Sequence, residues 1–231
     1  MSLGDFRKMK SAKYYQVTLS DEVLRTITLA TLEAYELGDG RKKLGLETLG
    51  YIWGYSRLDM QEETRFFHVE MSSVSLSAKR ATDSVTPDDF ALGLKKELLK
   101  RWAPHLTILG DFHSHPYRNL NEVDNEQGFE FSDEDAAAFL DDDEIWEESG
   151  NCPVMLVMTV CRLQKVNEKY SAEVVRDNIT RFDVGEFRFW VNAAVGYLDE
   201  NNKRNWTGNK YSQLELNLDS KFYNFSSDRL L

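Results

Sequence analysis

Residues 106–140 of this 231-residue chain hold the side chains best suited to chemistry. The apolar run 106–109 passes through Gly110 into His113-Ser114-His115-Pro116. Side chains alternate between the two faces of a strand, so His113 and His115 point the same way. Further on, Ser132-Asp133-Glu134-Asp135 opens an alanine-rich stretch with the pattern of a helix start. Imidazoles suit zinc, and a carboxylate from a neighbouring helix would supply a third ligand, leaving one position for water. That is the layout of a catalytic zinc site, in contrast to a closed structural one.

The spelling resembles the JAMM (MPN+) metalloprotease motif: His-Ser-His-Pro, then Ser-x-x-Asp at a helix start, with a glutamate on an earlier strand. The matching residues are Glu47, His113, Ser114, His115, Pro116, Ser132 and Asp135. Glu47 stands in Glu-Thr-Leu-Gly-Tyr-Ile-Trp-Gly, similar to the family's Glu followed by Gly-apolar-apolar-Gly. The resemblance covers about residues 15–165 on the element pattern. One feature departs from the family. Its members usually have seven residues between the proline and the serine, whereas here 117–131 intervene. Seven residues past Pro116 comes Asp124, with Gln127 at the ligand position, so that register fails and Ser132 with Asp135 fits better. The extra residues read as a loop insertion forming a rim or lid beside the site. Shortening it is expected to alter substrate preference and to leave metal content intact.

The resemblance implies a zinc-dependent hydrolase of peptide or isopeptide bonds, acting at the C-terminus of a ubiquitin-like or sulfur-carrier-like protein. His113, His115 and Asp135 would be the zinc ligands. Glu47 would be the general acid/base for a zinc-activated water. Ser132 would donate to the oxyanion while also serving as a helix N-cap. The alternative from another class is a non-catalytic scaffold of the same fold, whose members usually lack the ligand set that this chain has. Other His-x-His zinc hydrolases need several more histidines, and only His68 and His105 are left.

Nearby residues carry blander readings. Ser114 faces away from the histidines and reads as a supporting or packing residue. Pro116 should end the strand. Asp111 shares the histidines' parity and either orients an imidazole or is a plain polar residue. His68 reads as a half-buried structural residue within a strand, and His105 as a structural residue at a loop.

A net charge of -11 opposes broad binding to a phosphate backbone, so no nucleic acid partner is expected. No apolar run approaches the roughly 18 residues needed to cross a membrane. The two cysteines, Cys152 and Cys161, would lie about 30 Å apart along one strand, far beyond disulfide reach. Free buried thiols suit a reducing cytoplasm. The acidic run 141–144 reads as a solvated helix face. The oligomeric state stays open.

The elements that must position the site follow from periodicity. Strands are expected at 14–19, 45–55, 65–76, 106–109 and 153–162, with 170–175 as an antiparallel neighbour of the last. Helices are expected at 21–37, 87–102 and 132–146, the second with an apolar stripe of Phe90, Leu94, Leu98 and Trp102. Gly38 to Gly40 should end the first helix. Segment 182–197 is ambiguous between strand and helix. The tail, with Leu214, Leu216 and Leu218, should form a strand or docking segment on this chain or on a partner. This order gives an α/β fold with a mixed sheet flanked by helices. It is similar to the curved sheet of the MPN fold, expected as a single domain at 12–183 with an extension at 184–231 that packs on it or on a partner chain.

Overall fold

The strand that carries the histidines lies near the middle of one long mixed sheet. A computed structural model describes residues 12–37, 45–81, 84–166, 172–208 and 211–219. The expected helix end at Gly38 to Gly40, the basic 41–43, Tyr170 and the tail beyond Asp219 lie outside them. In chain order the elements are β1 (Tyr14–Ser20), α1 (Asp21–Leu37), β2 (Leu49–Asp59), β3 (Thr64–Val74), β4 (Lys79–Arg80), β5 (Val85–Thr86), α2 (Asp89–Trp102) and β6 (Thr107–Tyr117). Then come α3 (Leu120–Glu126), α4 (Asp133–Asp141), α5 (Asp143–Glu148), β7 (Val154–Arg162), β8 (Ala172–Arg176), β9 (Ile179–Val184), β10 (Phe187–Leu198), β11 (Arg204–Trp206) and β12 (Leu214–Asp219).

The sheet runs β12-β1-β3-β2-β6-β7-β10-β9-β8, with β11 added on β10. Pairings β12–β1, β1–β3 and β6–β7 are parallel. The sheet curls until its ends meet. Leu216 N on β12 donates to the Asp177 carbonyl in the β8–β9 turn at 2.7 Å. Tyr15 of β1 stacks on Tyr197 of β10 with ring centroids 6.0 Å apart.

Helix α1 fills the concave face. Its Val23, Leu24 and Ile27 recur at helical spacing and join Val17, Ile52, Phe67, Phe112, Leu156 and Val191 in the main core. The other helices cover the convex face. Leu92 and Leu99 of α2 meet Tyr51, Trp53 and Ile108. Val123 of α3 packs with Cys161 and Trp190. Phe139 and Trp146 pack on Met155 and Ala194. Covering on both faces explains why β7 and β10 read as continuous apolar runs.

Several expectations need correction. β6 does not end at Pro116 but runs to Tyr117. Ser114 N still donates to Thr48 O on the β2 side, but β2 itself begins at Leu49. The missing N–H of Pro116, two residues on, therefore costs no ladder bond. The helix expected at 132–146 breaks at Asp142, whose side chain caps α5 by accepting from Ile145 N at 2.9 Å. The insertion contains helix α3, so it is not a plain loop. β8 pairs with β9 and not with β7. The ambiguous stretch is a hairpin of β9 and β10. A boundary between residues 183 and 184 would cut that hairpin: β10 is an interior strand and β12 pairs with β1, so the described residues form a single α/β domain. Finally, the stripe from Phe90 to Trp102 faces outward. Among the described residues no helix is long and apolar enough to cross a membrane.

Candidate metal centre

A bulge in β6 sets the aim of the site. Ile52 pairs with Gly110 while Trp53 pairs with Ile108, which leaves Leu109 as an extra residue. Before the bulge the even residue Ile108 faces the convex side; after it, the odd residues Asp111, His113 and His115 do. Gly110 has φ +153°, and a Cβ there would lie 1.8 Å from the Val154 carbonyl oxygen, so only glycine fits.

His113 and His115 thus point out of the sheet towards the first turn of α4. That turn is fixed by a reciprocal capping box. Asp135 N donates to Ser132 Oγ at 3.0 Å, and Ser132 N donates to Asp135 Oδ2 at 2.7 Å. The box turns the Asp135 carboxylate onto the histidines. His113 Nε2 lies 3.0 Å from Asp135 Oδ1, His115 Nε2 lies 3.3 Å from Oδ2, and the two Nε2 atoms are 3.2 Å apart. All three side chains are mostly buried, with 11%, 13% and 16% of their surface exposed. Ligands held at about 2.0–2.1 Å around a tetrahedral metal are spaced about 3.3 Å apart. The two Nε2 atoms have about that spacing and each lies close to one of the two Asp135 oxygens, so this group can hold a metal ion.

His115 is held from behind. His115 Nδ1 lies 3.3 Å from the carbonyl of Gly128, which also accepts the Thr159 hydroxyl at 2.8 Å. Donation from Nδ1 to that carbonyl leaves the Nε2 lone pair facing inward. Thr159 is the β7 residue in register with His115. Ser114, on the opposite face, is buried and its Oγ accepts from Thr48 N at 2.9 Å. With Ser114 N on Thr48 O, that bond clamps the residue next to Glu47 against β6. Glu47 precedes β2, is 8% exposed, and lines the same cleft as His113, His115, Ser132 and Asp135.

The electrostatics follow from this packing. Burial pulls His113 below the usual imidazole pKa, more strongly than Asp135 raises it. At His115 burial acts downward too, but the hydrogen bond and charge of Asp135, with help from Glu47 and the Gly128 carbonyl, outweigh it and raise the pKa. Burial likewise works against ionisation of Asp135, yet its bonds to both histidines hold it far below the usual carboxylate range. Asp111, deeper in the cleft, is pushed up to about 8 by burial and then by the charges of Asp142 and Asp135. It is therefore mostly a neutral carboxyl at pH 7.

No family model matches the chain, and no curated protein matches it. Among solved structures it is similar to the solution structure of protein DSY2949 from Desulfitobacterium hafniense, at 14% identity and a TM-score of 0.40. That alignment covers 89% of this chain and 95% of the other.

Five sequence-predicted site residues therefore share one cleft, and two histidines do not. His68 is exposed and stacked on Tyr55, with ring centroids 5.2 Å apart, in place of the expected half-buried position. His105 is exposed at a turn. Gly128, Thr159 and Asp142 line or support the site without having been singled out for it. The fold of the insertion brings Gly128 there, the β6–β7 register Thr159 and the break between α4 and α5 Asp142, and residue type gives no signal of any of these.

Proposed function

We propose that this protein is a zinc-dependent hydrolase of peptide or isopeptide bonds. The observation that carries the reading is the convergence of His113, His115 and Asp135 within metal-binding reach of one another, with the buried Glu47 on the wall of the same cleft. Two imidazoles and one carboxylate, with a further position open to the cleft, is a donor set suited to catalytic zinc. Bound there, zinc supplies Lewis acidity, polarising an amide carbonyl and lowering the pKa of water towards about 7.

The chain's own groups do the rest. Glu47 takes a proton from the attacking water and returns it to the leaving amine. The Ser132 oxygen accepts from Asp135 N, so its proton is free to donate to the developing oxyanion. The Gly128 carbonyl, fixed in place by the Thr159 hydroxyl, accepts from His115 Nδ1 and so favours the tautomer whose Nε2 can bind metal. The JAMM resemblance adds a substrate class: an amide at the C-terminus of a ubiquitin-like protein.

The test measures metal content and turnover together, on a ubiquitin-like protein carrying an amide-linked fluorophore at its C-terminus. The native chain should hold about one zinc per chain, as a site with three protein ligands does. His115→Ala should lose it. Glu47→Gln should keep the zinc and lose about 10²–10⁴-fold in turnover. An active Glu47→Gln variant would remove Glu47 from the mechanism. A native chain that retains no zinc after it is added back at neutral pH would favour the non-catalytic scaffold instead.

A further inference from the structure

The stripe on α2 suits another molecule better than it suits this one. Phe90, Leu94, Leu98 and Trp102 are 85%, 76%, 58% and 77% exposed, and no described element packs over them. The helix is turned the other way because its inner face is already occupied. Leu92 and Leu99 enter the convex-side core, and Lys95 reaches the carbonyls of Ser73 and Val74 at 3.2 and 2.8 Å while lying over the Tyr51 ring. Four large apolar side chains in an unbroken i, i+4 row are more than scattered surface residues account for.

We propose that α2 is the contact surface of a two-fold dimer of this chain, with the two α2 helices antiparallel. Three observations select a second copy as the occupant. First, the row reads aromatic, leucine, leucine, aromatic. Reversed against itself, it sets Phe90 on the partner's Trp102 and Leu94 on the partner's Leu98. This is the self-complementarity that an isologous contact requires. An i±4n row is also the ridge that packs into its own kind at a crossing of about -50°.

Second, the ends of the helix carry opposite charge. Asp88 caps the N-terminus, and Lys100 and Arg101 lie in the last turn, so antiparallel pairing brings acid to base at both ends. Third, Gly93 sits within the helix where an added Cβ would meet nothing within 4 Å. A helical glycine costs about 1 kcal/mol relative to alanine, and no contact among the described residues accounts for it. Beside the row it lets a second helix backbone approach closely. The four side chains offer on the order of 500–600 Å² per protomer, so pairing buries about 1,000 Å² from them alone, close to the lower limit for a specific interface.

The experiment is sedimentation equilibrium of the full chain over a wide concentration range, with circular dichroism as a check on folding. The native chain should dimerise. Leu94→Glu, at a position exposed in the single chain, should leave the spectrum unchanged. It should weaken the dimer by at least about 100-fold, because each substitution acts twice in a two-fold contact. Adding Leu98→Lys to Leu94→Glu should restore dimerisation, since antiparallel pairing sets the new acid of each copy against the new base of the other. A native chain that is monomeric at every concentration overturns the proposal. So does a dimer indifferent to Leu94→Glu, and so does a double variant no better than the single one.

Discussion

The hydroxyl of Ser132 serves two geometries, and they can be separated. As an acceptor it caps α4, and the proposed mechanism also makes it a donor into the cleft that Ser132 lines. Ser132→Ala should cost about 1 kcal/mol of stability through the lost cap. It should also cost about 10²–10³-fold in turnover through the lost oxyanion donor. Ser132→Thr keeps both functions and should recover most of each, whereas Ser132→Asp keeps only the acceptor. Thermal unfolding beside initial rates distinguishes them, and full turnover in Ser132→Asp would confine Ser132 to capping. The pKa values of the two histidines are shifted in opposite directions. His113, with its lowered pKa, is neutral and ready to bind at pH 7. The raised pKa of His115 means that a proton competes with the metal there. Metal affinity should be full above that pKa and fall about tenfold per pH unit below it, as for any ligand that must lose one proton. Calorimetric zinc titrations across the acid range check this, and a flat profile would remove His115 from the ligand set. In chelator-treated protein the same shift bears on stability with the reverse sense. Its contribution is present below the ordinary imidazole value of 6.5 and is lost as pH rises through the raised pKa.

The elements that hold these residues were legible where periodicity is strong. The alternating 14–19, the i, i+3/i+4 pattern of 21–37 and the apolar 153–162 all appear with shifts of a residue or so. The site was legible for a related reason: residue types with restricted chemistry stand at a restricted spacing. The bulge at Leu109 and Gly110 was not, because an apolar run followed by a glycine does not distinguish a bulge from a turn. Nor was the fold of the insertion, where helix α3 is only seven residues long. That helix changes the expectation for shortening the segment. Val123 is buried, Phe129 stacks on Trp190 with centroids 6.1 Å apart, and Asn192 Nδ2 donates to the Phe129 carbonyl at 3.0 Å. These contacts position Gly128, whose carbonyl faces His115 Nδ1. A deletion that includes Gly128 should therefore weaken metal binding by about 10–100-fold, the usual cost of losing a partner behind a ligand. A deletion confined to α3 that preserves Gly128 should weaken it less. Equal zinc affinity in both variants and the native chain would return the segment to the role of a simple rim.

At the scale of the molecule, the sequence hides which strands are neighbours. β10 lies between β7 and β9, and β12 joins β1 in parallel after nearly the whole chain has intervened. No local pattern encodes such distant pairings, which is why 184–231 reads as an extension when taken by itself. The stripe on α2 shows the same limit. Amphipathic spacing shows that a face is apolar without showing what covers it, and here Lys95 and Leu99 claimed the inner side. The pairing pattern makes the boundary testable by truncation. A chain ending at residue 183 loses Phe189, Val191, Val195, Leu214 and Leu216 from the core, and the hairpin partner of β9 with them. Each such side chain contributes about 1.5–3 kcal/mol on burial, and together they match or exceed the 5–15 kcal/mol that separates a typical folded domain from its unfolded chain. That fragment should show no cooperative unfolding in urea. A chain ending at residue 208 keeps β10 and β11 and gives up, among the described elements, the single turn at Tyr211–Gln213 and β12 with Leu214 and Leu216. It should fold, bind zinc with the native stoichiometry and lose about 3–6 kcal/mol of stability. If the shorter fragment instead unfolds cooperatively with a native-like near-ultraviolet spectrum, the chain divides near residue 183 after all, and β10 is an addition to a core that closes without it.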